Sequence, residues 1–203
     1  MGSAGPQSIL LAEDDDLLAA NLVRQLAELG HTVIGPAADG QQALDLAREQ
    51  RPDLAIMDIR MPVVSGLGAA TLLYKQWGVP VILISAHATE QYVAFGHKLG
   101  VFGYLIKPVT VNELRVAIAV GWGRYCDQQR LQGELQDARQ ALEDRKYIER
   151  AKGLLMERRG LSESEAMQRL QQQARTSRRR LADLARAMVE ADSLLRGDEQ
   201  ARS

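Results

Sequence analysis

Acidic, hydroxyl and ammonium side chains follow four short apolar runs in the first half of the chain. Glu13 and Asp14 end one run, Asp58 ends a second, Ser85 a third and Lys107 a fourth. Carboxylates held close together repel one another and raise each other's pKa, and a divalent cation relieves that repulsion. A set of oxygen ligands without cysteine or paired histidine favours Mg²⁺. The residue types and their order therefore predict a magnesium site at the three carboxylates.

Phosphoryl transfer is the chemistry that suits this set of side chains. Asp58 is expected to act as a nucleophile toward phosphorus and to form an aspartyl phosphate. Mg²⁺ and the ammonium of Lys107 would offset the negative charge that develops on the phosphoryl oxygens, and the Ser85 hydroxyl would donate a hydrogen bond to one of them. Asp15 and Asp16 are interpreted instead as charges at a helix start, where the helix macrodipole favours them.

A parallel sheet would bring these side chains together. Each apolar run is short, rich in strand-forming residues and bounded by turn signals, as in strands buried on both faces. Helical patterns alternate with the runs, which predicts an α/β fold: a five-stranded doubly wound parallel sheet with right-handed crossovers. Functional groups gather beyond the carboxyl ends of such strands. The predicted strands are Ile9–Glu13, His31–Gly35, Asp53–Asp58, Val81–Ser85 and Val101–Ile106, and the predicted helices are about Leu17–Leu29, Asp39–Glu49, Leu67–Trp77, Thr89–Leu99 and Val111–Gly121, with Asp39 and Thr110 as helix caps.

Composition limits the classes of protein to which the chain can belong. The apolar fraction of 46% supports a real core, and 25% charged residues is ordinary for a soluble protein. A single cysteine, Cys126, excludes an internal disulfide framework and fits a reducing compartment. No apolar run is long enough to cross a bilayer, and the first residues lack the pattern of a signal peptide. A cytoplasmic protein without a membrane partner is expected.

Charge divides the chain into two parts that differ in kind. Residues 1–123 hold 8 basic against 12 acidic residues, whereas residues 124–203 hold 17 against 14. Past Gly123 the glycines and prolines that mark turns become rare, and Arg124–Arg145 is rich in Gln, Glu, Arg and Leu. A domain boundary near residue 123 is therefore expected, with a helical arm after it.

The arm, residues 122–145, carries an apolar seam. Leu131, Leu135, Ala138 and Leu142 follow a four-three-four spacing, which is that of the a and d positions of a coiled coil. One interpretation is a solvated helix that extends from the first domain, and the other is a coiled coil between two copies. A homodimer is expected, because no other segment would cover the seam.

Three helical patterns follow the arm and predict a small three-helix bundle. They are Tyr147–Arg159, a helix that begins at the capping box Ser162–Glu165, and Arg178–Leu195. The basic residues of this region suit a phosphate backbone, although a solvated helix face balanced by glutamates explains them too. A helix-turn-helix DNA reader is not excluded, whereas aromatic base-stacking platforms are absent. These basic residues are Arg150, Lys152, Arg158, Arg159, Arg169, Arg175, Arg178, Arg179 and Arg180.

The ordered set of side chains in residues 8–121 resembles the receiver domain of bacterial two-component response regulators, which has a flavodoxin-like fold. Glu13 in place of aspartate is a common variant of that family. The resemblance implies a sensor histidine kinase as the phosphodonor. The site residues that it implies are Asp58 as phosphoacceptor, Glu13, Asp14, Asp58 and the backbone carbonyl of Arg60 as Mg²⁺ ligands, and Ser85, Tyr104 and Lys107 as the phosphoryl-sensing switch.

Residues 146–195 resemble the ANTAR domain, an RNA-binding module of bacterial transcription antitermination regulators. The stretch IERAKGLLMERRGLSESEAMQRL carries the motif, and Leu184-Ala185 fits the third helix of that family. The resemblance implies binding of paired stem-loops in nascent mRNA, which blocks formation of a terminator hairpin. Gly153 would allow close approach of RNA. The predicted RNA contacts are Lys152, Gly153, Arg150, Arg158 and Arg179.

Together the two resemblances imply a regulator in which phosphorylation of Asp58 controls antitermination by a pair of ANTAR domains. A second hypothesis is that a sensor protein sequesters the ANTAR part, with phosphorylation secondary; a co-purifying partner would favour it. A third is a DNA-binding regulator, which would bind duplex DNA at least as tightly as hairpin RNA at matched salt. A metabolic enzyme is not expected.

Overall fold

The computed structural model of the chain describes residues 5–86 and 100–200. These residues form two compact units, which divide between Arg130 and Leu131. The predicted helix Thr89–Leu99 lies outside the described residues. The elements that build the first unit are β1 (Ser8–Ala12), α1 (Asp16–Glu28), β2 (Thr32–Ala37), α2 (Gly40–Gln50), β3 (Leu54–Asp58), α3 (Gly66–Trp77), β4 (Val81–Ser85), β5 (Val101–Ile106) and the first part of α4 (Val111–Arg159).

The first unit contains a five-stranded parallel sheet with the strand order β2-β1-β3-β4-β5. This is the order of flavodoxin-like doubly wound folds. The predicted α/β class and the five-stranded parallel sheet are confirmed. In this order the connections from β1 and β3 run to opposite sides, and the crevice between them opens at the strand ends that carry Glu13 and Asp58.

Alternate residues of the central strands supply the two halves of the core. Leu10 and Met57 pack on the face that α2 and α3 cover, whereas Leu11 and Ile56 pack on the face that α1 and α4 cover. Every residue of β3 and β4 is buried, as expected for strands covered on both faces. This burial on both sides holds the strand ends in fixed positions.

Side chains that precede three helices cap their free backbone N–H groups. Asp15 accepts hydrogen bonds of 2.9 and 3.1 Å from two N–H groups in the first turn of α1, and Asp39 caps α2 in the same way. At the start of α4, the N–H of Thr110 donates to Glu113 at 2.9 Å, and the N–H of Glu113 donates to the Thr110 hydroxyl at 3.3 Å. The predicted caps at Asp39 and Thr110 are confirmed.

The long helix α4 corrects one expectation from the sequence. The pattern predicts separate pieces at Val111–Gly121, Arg124–Arg145 and Tyr147–Arg159, whereas the structure has one helix of 49 residues. The segment contains glycines but no proline, and each helical glycine costs only about 1 kcal/mol relative to alanine. Gly160, with φ 64°, ends the helix. In the part of the chain that the structure describes, neither α4 nor another helix is long and apolar enough to span a membrane.

Aromatic side chains pack the start of α4 against the rest of the first unit. Phe102 on β5 contacts Tyr74 of α3 and Tyr125 of α4, with ring centroids 5.6 and 5.5 Å apart. Nε2 of Gln128 donates a hydrogen bond of 2.8 Å to the Tyr74 hydroxyl. The first unit therefore includes residues of α4 beyond the predicted helix end at Gly121.

The second unit is a three-helix bundle of the last part of α4, α5 (Glu163–Thr176) and α6 (Leu181–Gln200). The predicted capping box begins α5: the N–H of Ser162 donates to Glu165 at 2.8 Å, and the Ser162 side chain accepts from the N–H of Glu165. Half-buried apolar residues surround a small core. The buried apolar residues of this unit are Ala151, Ala166, Leu170, Ala174, Ala182, Ala185 and Val189.

Candidate functional site

The ends of β1 and β3 bring three carboxylates together. Glu13 and Asp14 follow β1, Asp58 ends β3, and the parallel pairing of Ala12 with Met57 puts these two strand ends side by side. One oxygen from each carboxylate lies within 4.8 Å of the others. The structure therefore groups the three side chains that the sequence predicts as metal ligands, although their charges oppose close approach.

Lys107 supplies positive charge to this carboxylate cluster. Its backbone N–H donates a hydrogen bond of 2.8 Å to the carbonyl of Ser85, because β4 and β5 are neighbours. Its Nζ donates a hydrogen bond of 2.8 Å to Oε1 of Glu13 and a second one to Oδ2 of Asp58. All three side chains are largely buried, so water and salt screen these ion pairs only weakly.

Burial and charge act in opposite directions on protonation in the cluster. Burial raises the pKa of Glu13, and the nearby Lys107 only partly offsets this effect. Burial alone would lower the pKa of Lys107, but hydrogen bonds to Asp58 and Glu13 outweigh it and raise that pKa. Lys107 is therefore charged at neutral pH, and its ammonium contacts two of the three carboxyl groups, those of Glu13 and Asp58.

The carboxylate cluster suits a small divalent cation. Oε2 of Glu13 is buried and receives no hydrogen bond from the described residues, although Nζ of Lys107 lies 2.8 Å away. Asp14 is exposed, so a cation bound here would remain in contact with water. Mg²⁺ binds hard oxygen ligands, needs few carboxylates and keeps several waters. The donor set therefore fits Mg²⁺.

The loop after β3 holds Asp58 through backbone contacts. Oδ1 of Asp58 accepts a hydrogen bond of 3.1 Å from the N–H of Arg60, and the N–H of Ile59 donates to the carbonyl of Ile84 at 3.1 Å. The N–H of Gly66 returns to the carbonyl of Ile59 at 3.0 Å. A Cβ at Gly66 would lie 1.8 Å from the carbonyl oxygen of Asp58, so glycine alone fits this approach.

Two residues that hold the site are not predicted from the sequence. The Ser65-Gly66 pair predicts a loop, but it does not reveal how closely two backbone segments approach. Gln25 is buried on α1, and its Nε2 donates a hydrogen bond of 3.2 Å to the carbonyl of Val109, in the loop that follows Lys107. The available signal for Gln25 is its position as a polar residue among the leucines of the apolar helix face.

Ser85 lies on β4, the neighbour of β3, and Tyr104 lies on β5, the neighbour of β4. Ser85 is buried at the carboxyl end of β4, one residue beyond the Ile84 that pairs with Asp58. Tyr104 on β5 is half-buried and packs against the core on the α2 and α3 side. The sensing role of Ser85, the switch role of Tyr104 and metal binding by the carbonyl of Arg60 stay predictions.

In the second unit, Lys152 lies in an ion-pair network rather than on an open surface. The residue is 8% exposed, and its Nζ lies 2.7 Å from Glu163 and 2.9 Å from Glu149. Hydrogen bonds to these two glutamates, that to Glu163 first, raise the pKa of Lys152. Because Glu163 begins α5, the ammonium joins α5 to α4. RNA contact by Lys152 stays a prediction, and the structure adds this role in the bundle.

The other four residues predicted as RNA contacts are exposed, but their surroundings differ. Arg158 forms an ion pair with Asp192 of α6. Arg179 makes a long contact of 3.5 Å to a backbone carbonyl of α6. A Cβ at Gly153 would have no heavy atom of the described residues within 4 Å, so this face of α4 is open. Arg150 is exposed on the same helix, and RNA contact by all four stays a prediction.

Known proteins match both units. Residues 9–119 match the response regulator receiver domain, and residues 136–189 match the ANTAR domain. The transcriptional regulatory protein PdtaR of Mycobacterium tuberculosis is 35% identical over 185 residues, which cover 90% of each chain. The relationship to PdtaR therefore extends through the receiver match, the arm and the ANTAR match.

Solved structures resemble the first part of the chain. The signal receiver domain of NarL from Mycobacterium tuberculosis has a TM-score of 0.52 and 31% identity, and the match covers 57% of this chain and 95% of that chain. The signal receiver domain of a modulated diguanylate cyclase from Desulfovibrio desulfuricans has a TM-score of 0.55 and 30% identity over 62% of this chain and 99% of that chain. The receiver match covers more than half of the chain, the ANTAR match follows it, and PdtaR is related over nearly the whole length. The chain therefore belongs to the response regulators that join a receiver domain to an ANTAR domain.

Proposed function

We propose that this response regulator acts in the cytoplasm and controls transcription antitermination through phosphorylation of Asp58. A sensor histidine kinase donates the phosphoryl group to the receiver domain, residues 8–121. Residues 122–145 pair two copies, and the ANTAR domain, residues 146–195, binds stem-loops in nascent mRNA and prevents terminator formation. The observation that carries the proposal is the grouping of three carboxylates, two of which contact Lys107, in a chain that also holds an ANTAR domain.

The contacts of the Asp58 carboxylate support its role as phosphoacceptor. An oxygen of Asp58 attacks phosphorus, so that a P–O bond forms while the P–N bond of the kinase phosphohistidine breaks and its electron pair returns to the imidazole. Nζ of Lys107, which contacts Oδ2, keeps a positive charge beside the phosphoryl oxygens. The hydroxyl of Ser85 donates a hydrogen bond to one of those oxygens, and Tyr104 on the next strand transmits the change.

Magnesium fits the same residues. Glu13, Asp14, Asp58 and the backbone carbonyl of Arg60 would hold the ion. When bound, Mg²⁺ offsets the negative charge of the phosphoryl group during transfer. The grouping of one oxygen from each of Glu13, Asp14 and Asp58 within 4.8 Å of the others supports this assignment.

Exposed leucines on α4 support pairing of two copies. Leu131, Leu135 and Leu142 are each more than half exposed, and they share the a and d positions of the seam with Ala138. The same helix of a second copy would cover them. Phosphorylation then shifts a pre-existing equilibrium toward the paired form, in which two linked ANTAR domains engage two stem-loops of one RNA.

Phosphorylation of the purified protein by acetyl phosphate, with and without Mg²⁺, tests the receiver half of the proposal. Intact-mass measurement should show one added phosphoryl group on the wild type only when Mg²⁺ is present. Asp45→Asn, which alters an exposed carboxylate on α2, is the matched control and should behave as the wild type. Asp58→Asn should remain unmodified, and modification of this variant to the wild-type extent would contradict the assignment.

Binding to hairpin RNA and to duplex DNA at matched salt tests the output half. The phosphorylated protein should bind an RNA with two tandem stem-loops more tightly than a DNA duplex of the same length. Equal or tighter binding to DNA would favour a DNA-binding regulator. Recovery of the protein from cells in a stable complex with a sensor protein, released by that sensor's ligand, would favour control by sequestration.

A further inference from the structure

We infer that a pocket in the second unit receives a single unpaired base of an RNA loop, an inference that rests on the proposed RNA-binding function. The pocket lies between the end of α4 and one face of α5 and has a volume of about 530 Å³. Pockets that hold small ligands have volumes of roughly 300–1,000 Å³. None of the five residues that the sequence predicts as RNA contacts lines this pocket.

The lining combines an apolar part with amide groups. Leu155 and Leu161, both half-buried, form the apolar part. Gln168, Arg169 and Gln172 come from α5, where spacings of three and four residues put them on one helix face. A flat ring with a polar edge matches this lining, because the ring can cover the leucines while each glutamine amide offers a donor and an acceptor to the ring edge.

Two arginines of the lining are free to bind a ligand. Arg159 and Arg169 are exposed, and neither has a hydrogen bond, ion pair or ring contact within the described residues. By contrast, the neighbouring Arg158 already pairs with Asp192 of α6. A guanidinium group stacks on nucleic acid bases and pairs with phosphate oxygens, so the two free arginines suit a nucleotide rather than an apolar peptide.

Glu165 contributes a carboxylate to the lining, and that carboxylate is already engaged. Its Oε2 accepts hydrogen bonds of 2.6 Å from the hydroxyl and 2.8 Å from the N–H of Ser162, and these bonds lower the pKa of Glu165. Two guanidinium groups and one carboxylate leave the described lining with net positive charge. An anionic ligand is favoured, and the capping box holds one wall of the pocket in place.

A stem-loop supplies the ligand that this pocket fits. The bases of a duplex stem are stacked and paired, whereas the bases of a loop can turn outward and present their Watson–Crick edges. Sequence-specific RNA readers use side-chain hydrogen bonds and arginine stacking on such bases. The pocket would therefore supply loop-sequence selectivity, while the basic residues on the bundle surface supply affinity for the backbone.

Selection from a pool of RNA hairpins tests the inference with the full chain. The pool has one fixed stem and randomised loops, and affinity is then measured for a selected hairpin and for a hairpin with the same stem and a scrambled loop. Arg169→Ala and the double variant Gln168→Ala, Gln172→Ala should each weaken binding of the selected hairpin by roughly tenfold or more. Their affinity for the scrambled hairpin should change little.

Arg175→Ala is the matched control. It removes the same charge from α5, but at the end of the helix, about one turn beyond Gln172 and outside the residues that line the pocket. Arg175→Ala should lower the affinity for the selected and the scrambled hairpin by a similar small factor. In addition, an abasic nucleotide at the critical loop position should lower the affinity of the wild type for the selected hairpin. The same abasic hairpin should not lower the affinity of the double glutamine variant further.

The outcomes distinguish a failure of the pocket inference from a failure of the proposed RNA-binding function. Selected-to-scrambled ratios that are unchanged in the pocket variants would overturn the inference while RNA binding stands. Equal losses on both hairpins would also overturn it, because they would indicate a backbone contact. No binding of any hairpin by the wild type would remove both the RNA-binding function and the pocket's role. Because the substituted side chains are exposed, unchanged thermal melting should show that each variant is folded.

Discussion

The first unit, named the receiver unit after the domain that it contains, and the second unit, named the ANTAR unit, hold their functional groups in different ways. In the receiver unit, Glu13, Asp58 and Lys107 converge because paired strand ends position them, and a sheet covered on both faces fixes those ends. In the ANTAR unit, basic residues spread over the surface of three helices that share a small core, in which five of the seven buried apolar residues are alanines. Converging charges need a large core to hold them, whereas a spread surface needs only a small one.

This difference has an energetic consequence. A small unit buries a smaller fraction of its surface and is closer to unfolding than a large one. Loss of a core contact in the ANTAR unit should therefore remove its function by unfolding it. In the receiver unit the same loss should leave the fold intact, and function should fail only where the geometry around Asp58 changes.

Leu170→Ala should unfold the ANTAR unit. The residue is 1% exposed in the small core, and such a truncation costs about 2–5 kcal/mol. Thermal unfolding followed by circular dichroism should show early loss of part of the helix signal, with RNA binding lost and phosphorylation of Asp58 retained. Leu170→Met, which conserves volume, should cost less than about 1.5 kcal/mol. Loss of phosphorylation in Leu170→Ala would indicate that the two units do not unfold separately.

Gly66→Ala should impair the receiver without unfolding it. The added Cβ would meet the carbonyl oxygen of Asp58, and overpacking of this kind costs about 1–3 kcal/mol. The loop must shift to relieve the contact, so phosphorylation by acetyl phosphate should be at least several-fold slower. Gly133→Ala is the control: its Cβ would meet no heavy atom of the described residues within 4 Å, and an alanine there should stabilise the helix by up to about 1 kcal/mol. Wild-type rates in Gly66→Ala would contradict this account of the loop.

Removal of one cap from each unit compares the same chemistry in both. Ser162→Ala removes the cap of α5, Asp39→Ala removes the cap of α2, and each should cost about 1 kcal/mol. The same free energy shifts the melting temperature of a smaller unit more, by about 4–8 °C for 60–100 residues. Ser162→Ala should therefore shift the ANTAR transition further than Asp39→Ala shifts the receiver transition. A larger shift for Asp39→Ala would reverse the order of stability proposed for the two units.

Asp53 should give the receiver unit a small dependence on pH. Burial opposes ionisation of this carboxylate, but hydrogen bonds from Ser8 and the N–H of Gln7 lower its pKa below the ordinary 3.8. A depressed pKa contributes stability above the ordinary value, and that contribution is lost as pH falls through the lower folded value. The free energy of unfolding in urea should fall over this pH range by more for the wild type than for Asp53→Asn. Parallel pH profiles would show that the hydrogen bonds to Asp53 do not stabilise the fold.

The strands of the receiver unit were predictable because short apolar runs between turn residues are a local signal. The largest departure is β2, which continues to Ala37 through Gly35-Pro36, where the sequence predicts its end. Proline cannot donate to a ladder, but β2 lies at the edge of the sheet, where the missing donor is tolerated. The sequence shows the proline but not the position of the strand in the sheet.

The site residues at the strand ends were predictable for the same reason, since the topology of the sheet brings those ends together. The contacts that support them were not. The approach of Gly66 to Asp58, the bond from Gln25 to Val109 and the ion pairs of Lys152 join elements whose packing a single sequence does not reveal. The motif indicates that Lys152 matters to the ANTAR domain, whereas only the structure shows that it joins two helices.

The affinity of the full chain for a tandem stem-loop RNA, measured with and without acetyl phosphate in the presence of Mg²⁺, is the most direct test of whether Asp58 controls the ANTAR domain. The wild type and Asp45→Asn should bind at least tenfold more tightly after phosphorylation, and Asp58→Asn should bind weakly under both conditions. The same affinity for RNA in the wild type before and after phosphorylation, with the aspartyl phosphate verified by mass, would contradict control of the ANTAR domain by Asp58.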